Sequence, residues 1–254
     1  MRPARRDLAL AALAALGAPV LVTPYLLALG YRLDGPPLSV WLPLAALGVT
    51  VALALSRGLR VAPLLAGLAV VVLPPAPLFG GPPPAPVVQF AADALFAAVS
   101  VLLATTAEYA VRNPDVVDSV LPPSVRPAAV AGGVLYTSLV VGVRFALGLG
   151  WYTADVPFLL IVTGWSLLGT VLLGATVAVA LARYRVVTPA LVVLGVTAFA
   201  TYDAWQFAVS PAAGAGPTLL VVVFAGWFAP LAGALLAGAV EYRLRVALGA
   251  RFGA

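Results

Sequence analysis

The sequence predicts an all-α, polytopic integral membrane protein with eight transmembrane helices in two parallel four-helix repeats and with both termini in the cytoplasm. Three observations lead to this prediction. The 254 residues are 63% hydrophobic and only 9% charged, whereas a soluble domain carries roughly 25% charged residues. Arginines fall at alternate junctions between long apolar runs. Weak matches relate the two halves of the chain.

Eight apolar runs approach the length of about 20 residues that spans a bilayer. They cover residues 8–30, 38–56, 61–79, 87–111, 128–150, 156–181, 187–209 and 217–241. Gly- and Pro-rich links at 80–86 and 210–217 are expected to be solvated turns on the outer side. The first run continues to residue 30, which is long for a signal peptide, so it is predicted to be a membrane helix.

The arginines give the predicted helices an orientation. Twelve of the 14 basic residues lie at the chain ends or at alternate junctions between the runs. They are Arg2, Arg5, Arg6, Arg57, Arg60, Arg112, Arg126, Arg183, Arg185, Arg243, Arg245 and Arg251. Because cytoplasmic loops are enriched in arginine and lysine, both termini and these junctions are predicted to be cytoplasmic. We expect the chain to lie in the cell membrane.

Three matches in the same order predict a tandem duplication of a four-helix unit. Shifts of 120, 126 and 133 residues align Arg6 with Arg126, Arg57…Pro63 with Arg183…Pro189, and Glu108-Tyr109-x-x-Arg112 with Glu241-Tyr242-x-x-Arg245. An even number of spans in each unit would insert both units the same way up. The predicted domains are residues 1–112, a cytoplasmic linker at 113–127, and residues 128–254. Chance similarity between apolar helices is the alternative.

Missing residue types exclude many chemistries. The chain contains no histidine, no cysteine and no lysine, and Met1 is its only methionine. These absences exclude imidazole and thiolate metal sites, a Cys nucleophile, a Ser–His–Asp triad and a lysine Schiff base. We therefore predict no catalytic residues, no metal and no cofactor. An enzyme that acts on lipids through carboxylates alone is the least supported alternative.

Charged side chains inside a spanning helix are costly and are the default functional candidates. Five lie within the predicted runs: Asp93, Glu108, Arg144, Asp203 and Glu241. A rise of about 1.5 Å per residue places three of them in the outer third of the bilayer. The predicted intramembrane polar network consists of Asp93, Arg144, Asp203, Gln89 and Gln206. It is either a pocket open to the outside for a cation, proton or small polar solute, or a neutralised network that fixes helix packing, which we favour.

Two carboxylates near the inner ends of the fourth and eighth runs each have an arginine four residues later, on the same helical face. These inner-interface pairs are Glu108 with Arg112 and Glu241 with Arg245. We expect them to anchor the helices at the headgroup level, and a pair of carboxylates lining an inner vestibule is the alternative.

These observations favour a non-catalytic multi-pass membrane protein, a structural or accessory subunit of a membrane assembly. The alternative is a small transporter or channel with an outward-facing polar site around Asp93, Arg144 and Asp203. The net charge of +5 is assigned to arginines that face lipid headgroups. The expected partners are therefore membrane lipids and a membrane protein or second copy of the chain, and not a nucleic acid.

Overall fold

The computed structural model of the protein describes residues 5–28, 38–72, 87–147, 156–209 and 218–252. Within these ranges the chain forms ten α-helices and no β-strand, as the long apolar runs predict. The helices are α1 (Arg5–Ala28), α2 (Leu38–Ser56), α3 (Val61–Val72), α4 (Val87–Arg112), α5 (Pro114–Val120), α6 (Arg126–Ala146), α7 (Val156–Tyr184), α8 (Thr188–Val209), α9 (Leu219–Ala225) and α10 (Phe228–Phe252).

The chain divides into two compact units, Met1–Val117 and Asp118–Ala254. In the first unit, α2 packs against α1, α3 and α4, and α3 packs against α4. In the second unit, α7 packs against α6, α8, α9 and α10, and α8 also packs against α9 and α10. The core of the first unit contains Leu47, Ala54, Leu59, Ala66, Ala98 and Val101. A buried cluster in the second unit contains Ala200, Ala204 and Leu220.

Five helical segments are long and apolar enough to cross a membrane. They are Asp7–Ala28, Ala94–Arg112, Arg126–Ala146, Val162–Tyr184 and Thr188–Val209. Large apolar side chains also cover the outside of these helices, among them Leu21, Leu135 and Phe145, the last of which is 83% exposed. A helix that is apolar on both its packed and its exposed faces is suited to a lipid environment.

The eighth predicted run is not a single helix, which corrects the prediction for residues 217–241. Helix α9 ends at Ala225, a turn follows, and α10 begins at Phe228. In a continuous helix the carbonyl of Gly226 would accept a hydrogen bond from residue 230, but Pro230 has no N–H and its ring clashes at that position. The Gly226 carbonyl instead accepts from the N–H of Ala229 at 3.0 Å.

Two further segments bear on the predicted runs and links. Helix α3 is described for 12 residues, and residues 73–86, which hold the predicted outer link, lie outside the described ranges. The other outer link, at 210–217, also lies outside them. The linker at 113–127 contains the short helix α5, of which no residue is buried. Its first residue is Pro114. Proline is favoured at this position because the N–H that it lacks would have no partner in the first turn of a helix.

Candidate functional site

The carboxylate of Glu108, near the end of α4, holds the beginning of α3. It accepts hydrogen bonds from the backbone N–H of Arg60 at 3.1 Å and of Val61 at 2.9 Å. The first N–H groups of a helix have no partner within the helix, so a carboxylate placed there satisfies them and complements the helix dipole. Arg112 forms an ion pair of 2.5 Å with Glu108 and donates from Nη1 to the carbonyl oxygen of Gly58 at 3.0 Å. We call these five residues the first clamp.

The turn in the first clamp depends on a left-handed backbone at Gly58, where φ is +69°. Glycine adopts this conformation without the steric cost that a Cβ brings. The turn carries the next residue, Leu59, into the core, where it is 2% exposed. The turn therefore presents the Gly58 carbonyl to Arg112 while Leu59 packs inside the unit.

The second unit contains the same arrangement at the beginning of α8. The Glu241 carboxylate accepts from the backbone N–H of Val187 at 2.9 Å, and from both the N–H and the Oγ1 hydroxyl of Thr188 at 2.8 Å. Arg245 pairs with Glu241 and donates from Nη1 to the carbonyl oxygen of Arg185 at 2.5 Å. Arg185 has a left-handed φ of +52°. We call these five residues the second clamp.

A further contact between two helices occurs in both units. A Cβ added at Gly48 on α2 would lie 2.5 Å from the carbonyl oxygen of Ala14 on α1. A Cβ added at Gly174 on α7 would likewise overlap the carbonyl oxygen of Gly132 on α6. The glycines Gly48 and Gly174 are 126 residues apart, and their partners Ala14 and Gly132 are 118 residues apart. The left-handed residues of the two clamps are 127 residues apart, and the two glutamates are 133 residues apart.

The predicted outer polar network is described only in part. Asp203 is exposed, and its Oδ2 accepts from the N–H of Leu219, the first residue of α9, at 2.7 Å. Gln206 donates from Nε2 to the hydroxyl of Tyr202 at 2.8 Å, and Arg144 is buried on α6 at 7% exposure. The side chains of Gln89 and Asp93 lie outside the described part of the structure. In the described part of this network, the carboxylate of Asp203 therefore binds the first N–H of α9.

Sequence reasoning missed a group of four hydroxyl side chains inside the second unit. Tyr136 on α6 contacts Thr197 on α8 with 2.6 Å between their oxygens, and Thr137 on α6 contacts Thr170 on α7 at 3.0 Å. The helical rise places these groups about 14–21 Å from the helix ends at Arg126, Tyr184 and Thr188. These distances are close to half the thickness of a hydrocarbon core of about 30 Å. We call these four residues the hydroxyl cluster.

The donors in the hydroxyl cluster are fixed by neighbouring backbone carbonyls. Thr197 donates to the carbonyl oxygen of Val193 at 2.7 Å, and Thr170 donates to that of Leu167 at 2.9 Å. A hydroxyl group has one proton and two acceptor lone pairs. Because Thr197 has used its proton, Tyr136 donates to Thr197. For the same reason Thr137 donates to Thr170.

The break between α9 and α10 packs beside this cluster. The Trp227 side chain in the turn is 1% exposed and lies against Gly169 of α7, where any added Cβ would overlap the indole ring. The Trp165 ring lies 5.3 Å from the Trp227 ring, and its Nε1 donates to the carbonyl oxygen of Ala225 at 2.8 Å. Trp165 of α7 thus donates to a carbonyl that the break leaves without a helical partner, and the Trp227 ring fills the space beside Gly169.

The described residues are all helical apart from turns, and their five long apolar helices indicate a multi-pass membrane protein. Comparisons with protein-family models, with curated proteins and with solved structures find no match to the chain. In the described residues, no three Asp or Glu side chains come together in a group that could hold a metal ion. The two clamps and the hydroxyl cluster are therefore the candidate functional sites of the described residues.

Proposed function

We propose that this protein is a non-catalytic structural or accessory subunit of a membrane assembly in the cell membrane. It would consist of two duplicated four-helix units that insert the same way up, with both termini cytoplasmic. The observation that carries the proposal is the engagement of the carboxylates of Glu108, Glu241 and Asp203 with backbone N–H groups at helix starts.

The two clamps support the duplication because they share the same pattern of backbone contacts. In each, a left-handed residue offers its carbonyl to an arginine, and a glutamate four residues before that arginine binds the first N–H groups of the next helix. Similar composition of apolar helices does not by itself produce this sequence of contacts. The buried residue of each turn also corresponds, since Leu59 and Val186 are 2% and 1% exposed.

The clamps also support a common orientation. Each lies at an arginine-rich end of its unit, with exposed Arg57 and Arg60 at the first and exposed Arg183 and Arg185 at the second. Arginine-rich ends of membrane helices face the cytoplasm. We therefore place both clamps at the cytoplasmic surface, where their arginines meet anionic headgroups.

The bonding of the carboxylates favours a structural role over ion transport. Glu241 accepts from two backbone N–H groups and one hydroxyl and also pairs with Arg245. A transported cation or proton would have to displace these donors and leave them without their carboxylate partner. The exposed leucines and valines of both units are expected to face lipid and either a membrane-protein partner or a second copy of the chain.

The test is purification of a C-terminally tagged protein from its own membrane in a mild detergent, followed by chemical crosslinking and mass determination. A structural subunit is expected to elute with one partner, or as one defined oligomer, in fixed stoichiometry over a range of detergents. A monomer without a stoichiometric partner under all of these conditions would contradict the proposal.

A small transporter or channel is the second candidate, and the hydroxyl cluster is the observation that favours it. Transporters place their sites near the middle of the bilayer beside discontinuous helices, and the cluster lies beside the break between α9 and α10. The outer polar site at Asp93, Arg144 and Asp203 stays a prediction of this candidate. Purified protein in proteoliposomes would be tested for the flux of water, the one small polar solute that fits beside the hydroxyl cluster. Flux that Thr170→Val abolishes supports transport, and flux equal to that of empty liposomes counts against it.

A further inference from the structure

The indole N–H of Trp227 lacks a hydrogen-bond partner among the described residues, although its side chain is 1% exposed. A buried donor without an acceptor has lost the hydrogen bonds to water that it makes in the unfolded chain, so leaving it unpaired is unfavourable. The neighbouring Trp165 shows the alternative, because its Nε1 donates to the carbonyl oxygen of Ala225 at 2.8 Å. The Trp227 N–H therefore indicates an acceptor that the described residues do not supply.

Trp227 forms part of the wall of a small cavity inside the second unit. Tyr136, Thr170 and Thr197 of the hydroxyl cluster line the same cavity, and the rest of its wall is formed by leucine and valine side chains. The centre of a water-sized sphere can occupy about 10 Å³ of it. This is room for one water molecule and too little for a substrate of several heavy atoms.

The hydrogen bonds already made on the cavity wall determine which hydrogen bonds an occupant must accept and donate. The protons of Tyr136, Thr170 and Thr197 are already donated within the protein, so these oxygens present only acceptor lone pairs. The Trp227 indole presents only a donor. An occupant must therefore both accept one hydrogen bond and donate others. Ammonium has no lone pair to accept with, and a simple anion such as chloride has no proton to donate.

The first unit has apolar residues where the second has these polar ones. Under the correspondences of the clamps and of the glycine contacts, and therefore on the proposed duplication, Tyr136 corresponds to Ala18 and Thr170 to Leu44. Thr197 corresponds to Val70, and Trp227 corresponds to Ala94. Leu44 and Ala94 are both buried. The four-helix unit therefore packs without these polar side chains, and their presence in the second unit requires a separate reason.

We infer that the cavity of the second unit binds one water molecule in the middle of the membrane. The water accepts a hydrogen bond from Trp227 and donates to oxygens of the hydroxyl cluster. Ordered water of this kind makes about three hydrogen bonds to buried polar groups that otherwise lack partners. It would also support the helix break, where backbone groups need partners from neighbouring side chains or water. The inference holds whether the protein is a subunit or a transporter.

Indole NMR of the full-length protein in lipid nanodiscs tests this inference. The chain has five tryptophans, and Trp227→Phe and Trp165→Phe assign the two indole signals that matter. We expect a direct cross-relaxation peak between the Trp227 N–H and the water resonance, with the sign of a long-lived complex. Trp165 is the matched control, since its N–H is bonded to a carbonyl, and it should show no such peak.

A second variant distinguishes water bound in the cavity from slow exchange of the indole proton with solvent. Val223→Leu adds a methylene group to the cavity wall and should remove the water peak of Trp227 while leaving the Trp165 indole signal in place. Two results would overturn the inference: a Trp227 indole without any water peak in the wild type, or a peak that persists unchanged when the cavity is filled. If Val223→Leu does not fold, the wild-type spectrum with its Trp165 control still decides the question.

Discussion

The carboxylate of Glu241 lies 2.8 Å from the backbone nitrogen of Thr188, a residue 53 positions earlier in the chain. Glu108 makes the corresponding bond to Val61, 47 positions earlier, at 2.9 Å. In both units, the last long helix thus fixes where an earlier helix begins: α4 fixes the start of α3, and α10 fixes the start of α8. Each contact is made by a Glu and an Arg four residues later on the same helix. Together these two side chains hold that helix, a turn and the start of a second helix.

We expect removal of this contact to destabilise the second unit in a graded way. Glu241→Gln keeps an acceptor oxygen but loses the ion pair with Arg245, whereas Glu241→Ala leaves the N–H groups of Val187 and Thr188 without their partner. The thermal midpoint in detergent should therefore fall in the order wild type, Gln, Ala. Asp115→Asn, on the exposed helix α5, is the control and should leave the midpoint unchanged. Equal midpoints for Glu241→Ala and this control would refute the clamp.

The two turns differ at their left-handed residue, which gives a prediction of opposite sign. Gly58→Ala introduces a Cβ at a φ of +69° and should destabilise the protein by about 1–2 kcal/mol. Arg185→Gly removes a Cβ at the same kind of position and should raise the stability or leave it unchanged. Denaturant titration of both variants measures this. Loss of stability in Arg185→Gly as large as in Gly58→Ala would show that the backbone conformations are not equivalent.

The packing of Trp227 against α7 predicts opposite effects for two glycines of that helix. Gly169→Ala places a methyl group inside the indole ring and should cost about 1–3 kcal/mol through overpacking. Gly164→Ala, on the same helix, meets no atom within 4 Å and should stabilise by roughly 0.5–1 kcal/mol, since alanine loses less entropy in a helix. Thermal unfolding of the two variants in one detergent gives the comparison. The same effect for both would mean that Trp227 does not occupy this place.

The sequence predicts the helix positions well because the apolar runs are long and are bounded by arginine, proline or glycine. Helix α2 begins and ends where the run at 38–56 does, and α8 differs from its predicted start by one residue. The break before α10 escaped prediction because average hydropathy outweighs the local effect of Gly226 and Pro230. These two residues are four apart, and Pro230 has no N–H to donate to the Gly226 carbonyl, so the pair signals the break.

The candidate sites were predictable only where the partners are close in sequence. The pair of Glu108 and Arg112 follows from helical spacing, but its bond to Val61 needs the packing of α3 against α4. The hydroxyl cluster joins α6, α7 and α8, and single uncharged hydroxyl residues do not stand out in a helix. The proposed duplication would offer a clue to it, since Thr170 would then correspond to Leu44.

The hydrogen bond between Tyr136 and Thr197 should contribute to stability mainly through its burial. Tyr136→Phe removes the donor and keeps the ring, and a typical net hydrogen bond is worth about 0.5–1.5 kcal/mol. The variant Thr197→Val alone should cost a similar amount. The double variant should cost less than the sum of the two, because both remove the same bond. Additive losses in this double-mutant cycle would be inconsistent with the contact.

The most direct test of the central claim, that both units insert the same way up with both clamps at the cytoplasmic face, is cysteine labelling in intact cells. The chain has no cysteine of its own, so single cysteines can be introduced at Ser56, Ser119, Val187 and Ser210. The account predicts that a membrane-impermeant maleimide labels only Ser210→Cys in intact cells, and that the other three are labelled after permeabilisation. Labelling of Ser56→Cys and Val187→Cys from opposite faces would contradict it.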